Sequence, residues 1–165
     1  MATEKLKFKL ELYATMWNKP PHAEILVDGK SYFDGDITST EDKPTLIEFE
    51  AEVDSGAEVD SVAKCNLIID RSGKSKNQTV VHQNKIVRDQ LLHIKSIEID
   101  EIDIGALVYE GVYTPRYPEP WAQQQRAQGI KLQETFKNVT AMGHNGEWKF
   151  KFESPFYMWL LENLY

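Results

Sequence analysis

A two-residue alternation of apolar and charged side chains constrains the fold of this chain more than any other feature of its sequence. Leu6, Phe8 and Leu10 alternate with lysines, as expected of a β-strand with one buried and one solvent-exposed face. The same alternation recurs over residues 47–53, 63–69, 92–99 and 148–152. Because each such strand must bury its apolar face, we predict one domain over residues 1–165, an all-β antiparallel β-sandwich of jelly-roll type.

Two dipeptides predict tight turns between strands. Asp28-Gly29 is a two-residue hairpin signal that follows a short apolar strand. Asn145-Gly146 is the strongest hairpin signal in the chain and is predicted to join residues 138–142 to the strand over 148–152. Residues 102–113 are predicted to form one or two further strands.

Helical signals occur in two places. Pro120 precedes a short polar run that begins at Trp121, and Gly129 follows this run, which is the arrangement typical of a short helix. Ser154 and Pro155 predict the start of a second helix at the C-terminal end, with the serine as its cap. We therefore expect one or two short helices beside the sandwich.

The charge balance narrows the classes of partner. Twenty-six acidic residues against nineteen basic ones give a formal net charge of -7, which argues against a nucleic-acid partner. No run approaches the roughly 20 apolar residues that cross a bilayer, and no signal peptide is recognisable, so we expect no membrane partner and no export by that route. The single cysteine, Cys65, is predicted to be a core residue. The basic stretch over residues 71–76 is interpreted as a solvated hairpin loop.

The acidic segment from Asp28 to Asp36 is the candidate metal site. Calcium takes roughly six to eight oxygen ligands, often from carboxylates and carbonyls on loops. Asp34 and Asp36 have a spacing that suits two such ligands. The alternative is that Asp28-Gly29 and Asp34-Gly35 are only turns. Calcium is therefore the one cofactor that we consider, with Asp34 and Asp36 as its ligands.

Aromatic side chains that lead into loops are the candidates for ligand binding. Tyr and Trp combine a flat apolar ring with a polar tip, which suits both sugar faces and protein interfaces. The alternative is that these rings close the open ends of the sandwich. The candidate ligand-binding residues are Trp17, Tyr113, Tyr117 and Trp121.

The C-terminal segment is too apolar for a free tail. We select Phe156, Trp159 and Leu160 as candidate partner-binding residues. Two arrangements stay open, because the segment can dock on its own sandwich or insert into a neighbouring subunit. The second arrangement would make the chain an assembly protein and allows a homo-oligomer.

Catalytic signals are weak. No histidine spacing fits a metal-ligand set or a nucleophile motif. The strand-borne acids Glu48, Glu50 and Glu52 could supply a carboxylate pair for a hydrolase, but such alternation is ordinary for the wet face of a strand. We therefore expect that the protein is not an enzyme.

Four segments together resemble uncharacterised small proteins of T4-like marine cyanophages. The segments cover residues 91–100, 117–121, 142–146 and 156–161. The resemblance implies a phage-encoded protein, located in the virion or in the host cytoplasm. Two segments, residues 21–29 and 94–100, are also similar to strands of calcium-dependent, xylan-binding β-sandwich modules. This second resemblance implies calcium and sugar binding.

Together these observations predict a non-catalytic binding module for carbohydrate that is phage-encoded and associated with a virion. Its partner would be a polysaccharide or another phage protein. The alternative is a phage structural or assembly protein, such as a decoration, neck or tail component, without a small ligand.

Overall fold

The alternating segments form two antiparallel sheets in a computed structural model that describes residues 3–17, 19–55, 62–74, 80–83 and 85–164. The strands are β1 (Thr3–Thr15), β2 (His22–Val27), β3 (Lys30–Asp36), β4 (Thr45–Asp54), β5 (Ala63–Ser72), β6 (Val80–His82), β7 (Lys85–Arg88), β8 (Leu91–Ile99), β9 (Ile102–Asp103), β10 (Val112–Pro115), β11 (Ala141–Met142) and β12 (Gly146–Ser154). The helices are a 3₁₀-helix (Gly105–Glu110), α1 (Trp121–Ala127) and α2 (Phe156–Leu164).

The spatial order of the strands in the two sheets is that of a jelly roll whose sequence is circularly permuted. One sheet has the order β11-β8-β1-β4, with β9 attached to β8, and the other has the order β10-β12-β5-β2-β3. If the short strands β9 and β10 are left aside, these are the two sheets of a jelly roll whose first two strands are β11 and β12. Those two strands come last in this sequence. The predicted jelly-roll sandwich is confirmed, in a circularly permuted strand order.

The core lies between the sheets and consists of the apolar positions of the two-residue pattern. Leu10 of β1 lies opposite Ile47 of β4 and Ile97 of β8, and all three side chains are buried. The Phe8 ring reaches the other sheet, where its centroid lies 6.1 Å from that of Phe152. Burial of this kind contributes roughly 25 cal/mol per Å² of apolar surface, so the alternation itself supplies the main folding energy.

The solvent-exposed face of β4 carries glutamates that lie opposite lysines of β1. The register pairs Lys9 with Glu48, Lys7 with Glu50 and Lys5 with Glu52. Cross-strand neighbours of opposite charge stabilise a sheet modestly. The row of acids that suggested a hydrolase is therefore one half of a charged ladder on the outside of the sandwich.

Two predicted connections differ in the structure. Asn145-Gly146 does not make a hairpin, because β11 pairs with β8 while β12 pairs with β5 and β10 in the opposite sheet. The Asn145 side chain instead binds Arg71, on the neighbouring strand β5 of the same sheet, and the backbone of Lys74, which follows β5. Residues 102–113 include β9 and the start of β10, in line with the prediction of one or two strands, but a 3₁₀-helix that was not predicted separates them.

The C-terminal helix docks on its own sandwich. Phe156 and Leu160 are 0% and 4% exposed, and the half-buried Trp159 ring packs edge-on against Phe150, with 5.8 Å between centroids. Of the two arrangements that the sequence left open, the structure has the first: Phe156 and Leu160 are part of the core, and Trp159 packs against it. Among the described residues, no helix is long and apolar enough to span a bilayer.

A glutamate of the first strand closes the start of α2. Glu4 Oε1 accepts hydrogen bonds from Ser154 Oγ (2.6 Å) and from the Phe156 backbone N–H (3.0 Å). The predicted serine cap is thus replaced by a carboxylate from β1, which satisfies a free N–H at the helix start. This contact joins β12 to β1, the two strands that would be consecutive in the unpermuted jelly roll.

We predict that the Phe156→Ala variant loses about 3–5 kcal/mol of unfolding free energy, because it opens a cavity under α2. The matched variant Met158→Ala removes a side chain that is 59% exposed on the same helix, and it should change stability by less than about 0.5 kcal/mol. Urea unfolding measures both. Equal and small effects would show that α2 is not part of the core.

Candidate functional site

Long connections gather at one end of the sandwich, which we call the loop end. The pairing of Thr15 with Leu91 brings the end of β1 beside the start of β8. The pairing of Gly146 with Arg71 brings the start of β12 beside the end of β5. The loop end therefore combines the connections that follow β1, β5, β10 and β11, which are far apart in sequence.

Three rings form an aromatic surface at the loop end: Tyr117, Trp121 and His144. The ring centroids lie 6.0 Å apart for Tyr117 and Trp121, 5.1 Å for Tyr117 and His144, and 6.0 Å for Trp121 and His144. Trp121, the first residue of α1, is 39% exposed, while the following Ala122 is buried and anchors the helix. The Tyr117 hydroxyl donates to the Gln133 carbonyl oxygen at 2.6 Å. The surface is thus exposed at Trp121 and fixed at its other members.

Tyr113 supports this surface from below rather than contributing to it. Its side chain is 4% exposed, and its hydroxyl donates to the His144 carbonyl oxygen and accepts from the His144 N–H at 2.9 Å. Burial raises the pKa of Tyr113 to about 12, so the hydroxyl keeps its proton. The prediction that Tyr113 binds ligand fails because the ring is in the core.

His144 is the member of the surface that the sequence analysis did not select. Its position in a predicted hairpin turn gave no reason to place it near Tyr117 or Trp121. Burial, followed by the positive charge of Lys74, lowers the pKa of His144. The imidazole is therefore neutral at pH 7 and has both a donor and an acceptor nitrogen.

Trp17, the fourth predicted ligand-binding residue, lies in the connection between β1 and β2. Its ring is 38% exposed, and its backbone forms an isolated bridge with Lys19. The Lys19 carbonyl oxygen accepts a hydrogen bond from Gln90 Nε2 at 2.9 Å, which attaches this connection to the loop end. Trp17 is thus an exposed ring on the same end of the sandwich as Trp121.

Arg71 contradicts the interpretation of residues 71–76 as a solvated loop, of which residues 75 and 76 lie outside the described residues. Its side chain is 0% exposed, and its guanidinium donates to the carbonyl oxygens of Met142 (3.3 Å) and Gln90 (2.6 Å) and to Asn145 Oδ1 (2.9 Å). Burial lowers the pKa of Arg71 to about 10, which leaves it charged at pH 7. One cation thereby connects the end of β5 with the segment before β8 and the segment between β11 and β12.

Asp34 and Asp36 lie on the edge strand β3 and not in a loop. Asp36 Oδ1 binds His22 Nδ1 at 2.8 Å, and Asp34 Oδ1 binds His22 Nε2 on the neighbouring strand. Both carboxylates are therefore engaged by one imidazole. Within the ranges that the structure describes, no group of three His, Cys, Asp or Glu side chains could hold a metal ion. The structure thus places the two aspartates on an edge strand against His22, and not in an oxygen-rich loop.

Comparison with known proteins yields only distant matches. No protein-family model matches the chain, and no curated protein sequence is similar to it. Among solved structures, the selenomethionine form of vCBM60 has a TM-score of 0.46 and 9% identity over 88% of this chain and 89% of its own. That structure is described as part of work in which circular permutation links two families of calcium-dependent carbohydrate-binding modules. The complex of vCBM60 with galactobiose has a TM-score of 0.42 and 9% identity over 87% of this chain and 96% of its own. This comparison assigns no ligand and no residue role to the present chain.

We predict a pH-dependent contribution of His22 to stability. Hydrogen bonds to Asp36 and then to Asp34 raise its pKa, so its contribution is fully present below the unfolded-state value of about 6.5 and is lost as pH rises through the folded-state value. Because the His22 side chain is 34% exposed, the effect should stay below about 1 kcal/mol.

Thermal melting of the wild type and the His22→Asn variant at about pH 6 and about pH 8.5 measures this contribution. The wild type should melt higher than the variant at the lower pH, and the difference should shrink at the higher pH. Asp36→Asn should reduce the same difference. A gap that grows with rising pH would contradict the assignment.

Proposed function

We propose that this protein is a non-catalytic binding module that holds a carbohydrate on the aromatic surface of the loop end. The observation that carries the proposal is the set of three contacting rings, Tyr117, Trp121 and His144, with Trp121 39% exposed. A sugar presents an apolar C–H face that packs on such rings and hydroxyls that need polar neighbours. The loop end offers both.

The rings do not lie in one plane. Trp121 is tilted by 39° from Tyr117 and by 32° from His144, while Tyr117 and His144 meet edge to face at 69°. Such an arrangement suits a sugar that rests on the exposed indole with its edge near the imidazole. The neutral imidazole can exchange hydrogen bonds with hydroxyl groups without a charged partner.

Helix α1 adds amide groups beside the indole. Gln124 and Gln125 lie three and four residues after Trp121, and residues with this spacing share one face of a helix. Gln124 is exposed and Gln125 is half-buried. A primary amide has two donors and an acceptor, which matches the mixed hydrogen bonding of sugar hydroxyls. These amides complete a surface of rings and neutral polar groups.

Preorganisation of the rings favours binding. Tyr117 is held through Gln133, and the backbone of His144 is held by the buried Tyr113 hydroxyl. Side chains that are already ordered lose less conformational entropy when a ligand arrives. A rigid surface therefore supports useful affinity even when it is small.

We predict that Trp121→Ala weakens retention on a bound polysaccharide by about 10- to 100-fold, because an exposed central ring carries much of such a contact. Affinity electrophoresis through gels that contain single neutral polysaccharides measures retention. Tyr109→Ala is the matched control, because Tyr109 is a 47% exposed aromatic residue of the 3₁₀-helix, which precedes β10, whereas Tyr117, Trp121 and His144 follow β10. Equal retention of both variants and the wild type, or no retention of the wild type on a broad glycan array, would contradict the proposal.

The second candidate function is a structural component of a phage particle. It is supported by the sequence resemblance and by three exposed apolar side chains on one face of α2: Tyr157 (48%), Met158 (59%) and Leu161 (63%). Contiguous exposed apolar residues favour a protein contact. This proposal places the protein in a virion, with α2 against another phage protein.

Mass spectrometry of purified particles tests this second candidate. We expect the protein at a defined copy number, and we expect the double variant Met158→Glu and Leu161→Glu to be lost from the particles while its melting temperature stays close to that of the wild type. Absence of the wild-type protein from the particles would contradict the structural role.

A further inference from the structure

We propose that Arg71 and Lys74 supply the positive charge that holds the loop end together, so that the aromatic surface needs no divalent cation to bind its ligand. The predicted effect on ligand retention rests on the proposed carbohydrate function, whereas the predicted effects on melting temperature and hydrogen exchange do not. Carbonyl and carboxylate oxygens of the kind that calcium binds are here bound by the side chains of Arg71 and Lys74.

Lys74 occupies a nearly closed, oxygen-lined position. Its ammonium group donates to the Gly143 carbonyl oxygen and to Asp89 Oδ1 at 3.0 Å. The side chains of Lys74 and Asp89 are only 13% and 18% exposed. The same Asp89 oxygen accepts the Gln90 N–H at 2.8 Å, which fixes the carboxylate toward the ammonium. A carboxylate and a carbonyl from separate loops thus converge on one cation.

Arg71 also binds oxygens of several segments, and its side chain is more deeply buried than that of Lys74. Its guanidinium reaches carbonyl oxygens of Met142, Gln90 and Ser72 and the side-chain oxygen of Asn145. With the two oxygens bound by Lys74, the loops present carbonyl and carboxylate oxygens to chain cations in the way that they would surround a metal ion. Each oxygen has a donor, so the desolvation of these groups is compensated.

Arg71 and Lys74 bind the residues on either side of His144 in the sequence. Gly143, which binds the Lys74 ammonium, directly precedes His144, and Asn145 directly follows it. Asn145 Oδ1 accepts from the Lys74 backbone N–H at 2.9 Å and from Arg71, and its Nδ2 donates to the Lys74 carbonyl oxygen at 3.2 Å. The position of the imidazole in the aromatic surface is therefore set through Lys74 and Arg71, which act as positioning residues.

Charge repulsion argues against a divalent ion in the same position. Two positive groups already lie in a poorly solvated region, where like charges repel strongly because the effective dielectric constant is low. The two carboxylates of β3 that were predicted to bind calcium, Asp34 and Asp36, are engaged by His22 of β2. Arg71 and Lys74 thus have the structural role at the loop end that a bound metal ion would otherwise have.

The experiment compares the wild type with Lys74→Met, Lys74→Arg and the matched control Lys151→Met, which removes an exposed lysine of β12. Each protein is dialysed against EDTA and then measured with and without millimolar calcium chloride. Three quantities are followed: the melting temperature, the hydrogen exchange of the backbone amides of residues 143–145, and the retention on the polysaccharide that the wild type binds.

We expect the wild type to give the same values with EDTA and with calcium. Lys74→Met should speed exchange at residues 143–145 and reduce retention at least about tenfold, because a buried charge pair has lost one member. Lys74→Arg should recover part of both losses, and Lys151→Met should match the wild type. Circular dichroism confirms that each variant keeps its β-sandwich.

A calcium-dependent rise in wild-type melting temperature or retention would overturn the inference, as would a Lys74→Met variant that behaves like Lys151→Met. If the wild type binds no glycan under any condition, the proposed function fails while melting and hydrogen exchange still decide the role of the two cations. The failure of one proposal is therefore distinguishable from the failure of the other.

Discussion

The guanidinium of Arg71 is the contact on which the arrangement of the loop end depends. Removing such a charge from water costs several kcal/mol unless every donor finds a partner. Here the partners are oxygens of Ser72 at the end of β5, of Gln90 before β8, of Met142 at the end of β11 and of Asn145 before β12. Because the side chain is fully buried, these loops cannot move independently without leaving a buried charge unpaired. This constraint on the loops therefore fixes the relative positions of the rings in the aromatic surface.

The sandwich beneath the loops is organised by a different kind of force. Its sheets are held by apolar burial and ladder hydrogen bonds, which act without regard to charge. At the opposite end, the circularly permuted order brings the first and last strands together, and Glu4 joins them through Ser154 and Phe156. Polar contacts of long sequence separation therefore close both ends of an apolar core.

The candidate site shows how local signals succeed and fail. Helix α1 was predictable because proline before it and glycine after it act on adjacent backbone, and Trp121 followed as an exposed ring at its start. Tyr113 looked equivalent to Tyr117 in the sequence, yet the register of β10 with β12 turns it into the core. Asn145-Gly146 carried a strong hairpin signal, but Gly146 begins a strand that pairs with β5, and the Asn145 side chain binds Arg71 of that neighbouring strand.

The sequence by itself determined the strands, the face that each strand buries and the all-β class, because a two-residue period is a property of neighbouring residues. Only the tertiary structure decided which charged groups meet. Arg71 and Asn145 are 74 positions apart, and Lys74 and Gly143 are 69 apart, so no local pattern relates them. Their pairing depends on which strands become neighbours in the two sheets. Because of this strand pairing, Arg71 and Lys74, which the sequence placed in a solvated loop, are buried or nearly buried and support the aromatic surface.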